Sequence, residues 1–484
     1  MPSATTARGA RGGAVTVTAQ LIRVLVQMAG VVVLSRLLTP VDFGLIAMVT
    51  VFVAAGELIR DFGMPTAALQ ARSLDHQQAS NVFWINTLLG AIAGLALIGL
   101  APAIAWFYDE PRLGPLAAVM AGTMFLNGLQ AQVQVQLARQ MRYQALAFTG
   151  VLAPTVALAA GVGGALAGWE YWSLVAQIIA NSLVLLVSRT VAARWLPALP
   201  RRGHGSRRLL HRGTHFGLAQ LLTTIASNVD AVVIGARWGA NELGFYNRAF
   251  QLLTLPVSSL LGPLTQVVVP TLNETAEGGG DVGKLLLRIQ SALGAAMCWL
   301  FAVSSGTASV LIPLVMGEQW VPSVPLFQIL AIGGCFSALS YVSYWAFIVA
   351  DASRHLLNYN LVTKTVSVAL IVGASTLSID AVAWAYTLSL LASWPVNLLW
   401  LKRVAGQDSG AFLRNGFRSV AAAGLGAVAG AWTVKSLDQL HPVALMLVGG
   451  LAVTSVFLAV FASSPNGMNV LREAWRGTRL IRHG

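Results

Sequence analysis

The chain has 484 residues, 56% of them hydrophobic and only 10% charged, with a mean hydropathy of +0.70. Soluble domains carry about 25% charged residues, so this composition excludes a string of soluble domains and puts most of the chain against lipid or other helices. The net charge of +13 raises nucleic acid as a partner, but the placement of the basic residues points elsewhere.

A bilayer is crossed by about 20 apolar residues in a helix, and on that scale the sequence predicts about fourteen spans. They fall at 14–36, 43–68, 81–107, 114–137, 146–168, 171–193, 214–236, 244–268, 285–312, 323–349, 357–378, 380–401, 417–435 and 441–463. The fold class is therefore an all-α integral membrane protein. With the N-terminus cytoplasmic, about two thirds of the 31 Lys and Arg lie in cytoplasmic segments, as the positive-inside rule requires. The basic excess is then topological, both termini are cytoplasmic, and no nucleic acid is implied.

Taken in order, the N-terminal MPSATTARGARGG leads into an apolar run too long for a cleaved signal, so it reads as an uncleaved first span. That span carries Gln20, Arg23 and Gln27 at i, i+3 and i+7, on one helical face. A hinge, Thr39-Pro40-Val41-Asp42, reads as a tight outer turn. Span 2 crowds Glu57, Arg60 and Asp61 into one turn, where Glu57 can pair with Arg60. Gly90-xxx-Gly94 is a close-packing pattern. Trp106-Phe107-Tyr108, Trp169, Tyr171-Trp172, Trp238 and Trp320 collect at predicted outer ends as an interfacial belt. Span 4 ends in Gln130, Gln132, Gln134 and Gln136 with Arg139, Gln140 and Arg142. Amides suit sugar hydroxyls, though a solvated helix end would look the same.

An ungapped echo then appears at an offset of 200 residues: Gln20 falls on Gln220, Asp42 on Glu242 and Gly44 on Gly244. Six spans precede the basic linker after Leu196 and six follow it. Both halves therefore start on the same side, as a parallel repeat with its axis along the membrane normal. This predicts six-helix bundles over 1–200 and 206–405, and two extra helices with a basic tail over 406–484. Span 7 repeats the polar stripe as Gln220, Thr223 and Ser227, with Asp230 a step beyond. Span 8 carries Asn247, Arg248 and Gln251, and span 11 carries Lys364.

No phosphate-binding glycine loop, HExxH, CxxC or GxSxG pattern is present, and the seven histidines lie in loops or at span ends. Neither an enzyme nor a bound metal or cofactor is expected. What remains is charge inside the membrane, which costs about 2.5–3.5 kcal/mol at mid-span and so must face protein or water. Local pairing explains part of it. Arg23, however, has no carboxylate within helical reach, and with Arg248 and Lys364 it would make an aqueous cleft attractive to an anion. Arginine grips phosphate bidentately, and a lipid carrier could keep its tail in the bilayer while its head crosses. Gln20, Gln27, Gln220, Thr223, Ser227, Asp230 and Asp61 would line such a cleft.

The segments LSRLLTPVDFGLIAMV, LIRDFGMPTAALQ, FWINTLLG, APAIAWFYDEP and QLARQMRY resemble a known family. So do NVDAVVIGARWGANELGFYNRAFQLLTLP and VMGEQWVPSVPLFQIL in the second half. The family is the polysaccharide-biosynthesis flippases of the multidrug/oligosaccharidyl-lipid/polysaccharide exporter superfamily. The resemblance spans residues 14 to 460 in order. It implies two six-helix bundles around a cleft, which carry undecaprenyl-pyrophosphate-linked sugar units outward across the bacterial inner membrane for lipopolysaccharide, capsule or exopolysaccharide. It also implies carrier contacts at Arg23, Arg60 and Arg248, membrane lipids as neighbours, and polymerase or export machinery as candidate partners. No ion-coupling motif is matched, so an ion and the membrane potential both stay open as driving force. A multidrug cation antiporter of the same superfamily and a membrane-embedded glycan polymerase or ligase are the competing readings. The first needs an acidic cleft and the second large outer loops.

Overall fold

The computed structural model describes residues 4–61, 75–201, 223–224, 226–406, 408–463, 467–468 and 472. Among them the secondary structure is helical: α1 Ala4–Leu37, α2 Pro40–Asp61, α3 His76–Phe107, α4 Leu113–Arg139, α5 Tyr143–Leu166 and α6 Trp172–Ala193 come first. There follow α7 Val229–Glu277, α8 Val282–Gly306, α9 Ala308–Met316, α10 Ser323–Val349, α11 Ser353–Ala374, α12 Ile379–Ala405, α13 Ser409–Ser436 and α14 Pro442–Ala462. Among the described residues, thirteen of these helices contain a stretch long and apolar enough to cross a membrane. The expected spans are found, except that 62–68 of the second and 214–222 and 225 of the seventh lie outside the described residues.

The helix starts follow from local chemistry. The turn before α2 is a capping box: Thr39 N and Thr39 Oγ1 donate to Asp42 Oδ2 at 2.8 and 2.7 Å, and Asp42 N donates back to Thr39 Oγ1 at 3.4 Å. Pro40, at the first helical position, gives up an N–H that has no helical partner there. Asp75 with Gln78 caps α3 in the same way, and Ser378 Oγ accepts from Ala381 N at 3.0 Å to start α12. The expected boundary between spans 7 and 8 is a break inside α7 at Gly239, whose φ of 79° suits glycine.

By contact the chain divides into two units, Met1–Gly244 and Phe245–Gly484. In the first, α3 packs on α4, α5 on α6, α4 on α6 and α1 on α5, with α2 against α3 and α4. Gly90 and Gly94 let α3 approach α4 so closely that a Cβ at either would lie 2.6 or 2.9 Å from a backbone oxygen of α4. The segment after α6 is strapped to the start of α3: Trp195 Nε1 donates to His76 Nδ1 at 3.1 Å and Asn81 Nδ2 to the Arg201 carbonyl at 2.8 Å.

In the second unit the corresponding pairs recur, α8 with α10, α11 with α12 and α10 with α12, as a parallel repeat requires. Its core holds Phe336, Trp345, Phe347, Trp394 and Phe412. The two extra helices are fastened rather than merely added. Asn415 Nδ2 on α13 donates to Gln290 Oε1 at 3.1 Å and Ser291 Oγ at 2.8 Å on α8. Arg418 lies 5.7 Å from the ring centroid of Phe461 on α14.

The aromatic residues expected at the outer ends differ in exposure. Trp106 and Trp169 are 83% and 55% exposed, but Trp320 is 0% exposed and Tyr108 6%. Trp320 ends a short 3-10 turn, Glu318–Trp320, and lies inward against Phe245, with ring centroids 6.1 Å apart. It is therefore a core residue, because an outer-end position in sequence does not say which way the chain turns.

Candidate functional site

The first unit contains a string of polar side chains that crosses three helices. At the end of α2, Arg60 is 6% exposed and donates from Nε and Nη2 to Asp61 Oδ1 at 3.0 and 2.7 Å. Its Nη1 lies 3.8 Å from Glu57 Oε1, so the local pairing expected one turn back is present but is the weaker contact. Glu57 Oε1 accepts from Asn127 Nδ2 on α4. Asn127 Oδ1 in turn accepts from Gln130 Nε2 at 3.4 Å. Gln130 Oε1 and Gln134 Oε1 both accept from Arg189 Nη1 on α6, each at 2.8 Å.

The helical period makes this possible. Residues four apart share a face, so Gln130 and Gln134 present two carbonyl oxygens to one guanidinium across the α4–α6 contact. Gly90 supplies the space at the other end, since a Cβ there would sit 3.4 Å from Arg60 Cδ. Both carboxylates of the string are engaged by Arg60, and Arg189 is met only by neutral amides.

Of the α1 stripe, Gln20 is half-buried while Arg23 and Gln27 are exposed. Arg23 comes within electrostatic reach of Arg189, and among the described residues it makes no hydrogen bond or ion pair. Gln220 lies outside the described residues. Thr223 and Ser227 are half-buried, and Asp230, 4% exposed, accepts from the Ala231 amide at 2.9 Å.

In the second unit Arg248 is 7% exposed, donates to Gln251 Oε1 and stands 5.9 Å from the ring centroid of Trp320. A cation over a desolvated indole face is worth about 2 kcal/mol. Lys364 is half-buried on α11. The structure thus joins Arg60 to Asp61 and brings Arg23 near Arg189, while Arg248 and Lys364 belong to the other unit.

Arg189 and Asn127 were not among the sequence-level candidates. The signal for Arg189 was a lone cation in the apolar run SLVLLVSRTV, and for its partners the i, i+4 pair within the glutamine run. Nothing in one dimension matched the two. An open cavity of about 590 Å³ at the start of α6, lined by Trp169, Tyr171 and Trp172 among others, contains none of these residues. Among the described residues, no group of three or more His, Cys, Asp or Glu is placed to hold a metal ion.

Comparison with known proteins places the chain in a family. The teichuronic acid biosynthesis protein TuaB of Bacillus subtilis (strain 168) is 24% identical over 352 residues, 71% of this chain and 72% of its own length. The lipopolysaccharide biosynthesis protein WzxC of Escherichia coli (strain K12) is 23% identical, over 68% of this chain and 67% of its own. The succinoglycan biosynthesis transport protein ExoT of Rhizobium meliloti (strain 1021) is 24% identical over 88% of this chain and 87% of its own.

Among solved structures the fold is similar to a lipid II flippase MurJ in an inward closed conformation. The TM-score is 0.73 at 10% identity, covering 92% of this chain and 97% of that one. An inward-facing multidrug resistance MATE family transporter of the MOP superfamily follows at a TM-score of 0.56 and 14% identity, over 83% and 99% of the two chains. At these identities the likeness is one of fold. The family described as polysaccharide biosynthesis protein matches residues 33–325, more than half of the sequence, and the chain belongs to that family.

Proposed function

We propose that this chain carries lipid-linked oligosaccharide units, on an undecaprenyl-pyrophosphate carrier, outward across the bacterial cytoplasmic membrane by alternating access. The observation that supports this most directly is the combination of a polysaccharide-biosynthesis sequence family with a transporter fold of thirteen described spans. The buried Arg60 and Arg248 and the half-buried Arg189 would suit an anionic headgroup. The competing multidrug antiporter would present free acidic groups to a cationic substrate, whereas Glu57 and Asp61 are both engaged by Arg60. Both termini are read as cytoplasmic. The six-helix halves are read as 1–200 and 206–405, with α13 and α14 outside the repeat.

Deleting the gene in its native host is expected to abolish the surface polymer and to leave lipid-linked oligosaccharide in the cytoplasmic leaflet, with both effects reversed by a plasmid copy. Unchanged surface polymer in the deletion strain would overturn the reading.

A further inference from the structure

The turn between α5 and α6 gathers four consecutive side chains around one cavity. It bends through two left-handed residues, Gly168 at φ 77° and Glu170 at φ 49°. Hydrogen bonds from Trp169 N to the Gly164 carbonyl and from Ser173 N to the Glu170 carbonyl, each at 3.0 Å, hold it. Glycine adopts such a φ freely, but a glutamate kept there is strained. The open cavity of about 590 Å³ is bordered by Trp169, Glu170, Tyr171 and Trp172, with Val119 of α4 and Ile179 of α6. Its size lies within the range of small-molecule pockets, roughly 300–1,000 Å³. Trp169 and Glu170 are exposed, and the Tyr171 and Trp172 ring centroids stand 5.3 Å apart with planes 33° from parallel.

A membrane-interface belt accounts for aromatic rings with their bodies in the acyl region and their polar tips in water. It does not call for a shared cavity, a carboxylate among the rings or a strained turn. Among the described residues, the indole N–H groups of Trp169 and Trp172, the phenol O–H of Tyr171 and the Glu170 carboxylate make no hydrogen bond or ion pair with the protein. The cavity therefore offers ring faces, donors and an acceptor together. An acyl chain would use the rings alone. An ammonium headgroup would use the carboxylate and a ring face but leave the donors idle, and a phosphate would be repelled by Glu170. A sugar ring, with an apolar C–H face and hydroxyls around its edge, matches the whole set.

We infer that Trp169, Glu170, Tyr171 and Trp172 form a saccharide-binding subsite at the α5–α6 turn. The aromatic rings stack on sugar faces, and the Glu170 carboxylate accepts from sugar hydroxyls. That the saccharide belongs to the transported lipid-linked unit rests on the transport reading above. The saccharide chemistry rests on the cavity alone.

The test uses the purified full-length chain in phosphatidylglycerol nanodiscs and reads binding by saturation-transfer NMR titration. The probes are methyl glucoside, methyl galactoside, the repeating-unit oligosaccharide released from the host's own surface polymer, and ethanolamine. The repeating unit should bind the wild type. Trp172→Leu should weaken that binding at least about threefold, the loss of one stacked ring. Glu170→Gln should weaken it less, since a neutral acceptor replaces a charged one. Glu170→Gly should weaken binding yet raise the ligand-free melting temperature, because glycine takes the left-handed conformation without strain. A purely structural turn would show the second effect without the first. Melting temperatures report folding of every variant, and if Trp172→Leu misfolds, the two substitutions at the exposed Glu170 give the answer.

Binding of no saccharide by the wild type, or equal binding by all folded variants, would overturn the subsite. So would binding of ethanolamine in place of any saccharide, which would make the cavity a lipid-headgroup site. If the methyl glycosides bind and the repeating unit does not, the link to the transported unit falls. A gene deletion that leaves surface polymer intact would instead remove the transport reading and leave the saccharide measurement standing.

Discussion

At the residue scale, the arginines of this protein differ both in burial and in what faces them. Arg60 meets carboxylates, Arg189 meets amides, and Arg248 meets an amide and an indole ring. Arg112, between α3 and α4, meets Glu110 through two 2.8 Å hydrogen bonds. That last pair lies outside the spans and makes a pH prediction. Donation from the Arg112 guanidinium holds the Glu110 carboxyl below the usual carboxylate range. A carboxyl depressed on folding adds stability that is present above its unfolded pKa and is lost as pH falls through its folded value. Melting temperature should therefore fall on acidification below about pH 4.5, the ordinary carboxylate value. Glu110→Gln should already melt lower at neutral pH, and its difference from the wild type should shrink across that window. A difference that stays constant with pH would sink the assignment. The effect is small because Arg112 is 46% exposed and the pair is screened by solvent.

At the element scale, the repeat seen in the sequence has a structural counterpart within the first unit. A Cβ on Gly44 would lie 1.7 Å from the Ala240 carbonyl oxygen, and one on Gly244 would lie 2.0 Å from the Pro40 carbonyl oxygen. Residues 40 and 240, like 44 and 244, are partners in the 200-residue offset, so each glycine packs on the repeat partner of the other's neighbour. The Thr39–Asp42 capping box holds the start of α2 in register for this contact. Gly44→Ala should force the backbones apart at a cost of about 1–3 kcal/mol, the usual range for overpacking. A melting temperature equal to wild type in detergent would contradict the close approach. The turn at Thr39 to Asp42, which reads in sequence as a simple connection, is thus also the seat of a packed crossing.

For the whole molecule, the charge bias of the loops makes a prediction independent of substrate. The two cysteines, Cys298 and Cys335, are 0% and 4% exposed, so a background lacking both allows single probes to be placed elsewhere. Asp109→Cys, between α3 and α4, should react with a membrane-impermeant maleimide in intact spheroplasts. Gly279→Cys, between α7 and α8, should react only after permeabilisation. The reverse pattern would invert the topology and with it the direction of transport.

The spans, the parallel repeat and the membrane class were legible in the sequence because they depend on how many apolar residues run together and where basic residues punctuate them. Both are one-dimensional quantities that the bilayer reads directly. The presence of cations inside the apolar runs was legible for the same reason, since a charge in an apolar run stands out wherever its side chain points. Which cation meets an acid, which meets an amide, and that Trp320 turns inward were decided only by tertiary structure. Gln134 and Arg189 are 55 residues apart and lie on different helices, and their meeting depends on the rotation and depth of α4 against α6. No local spacing encodes that contact.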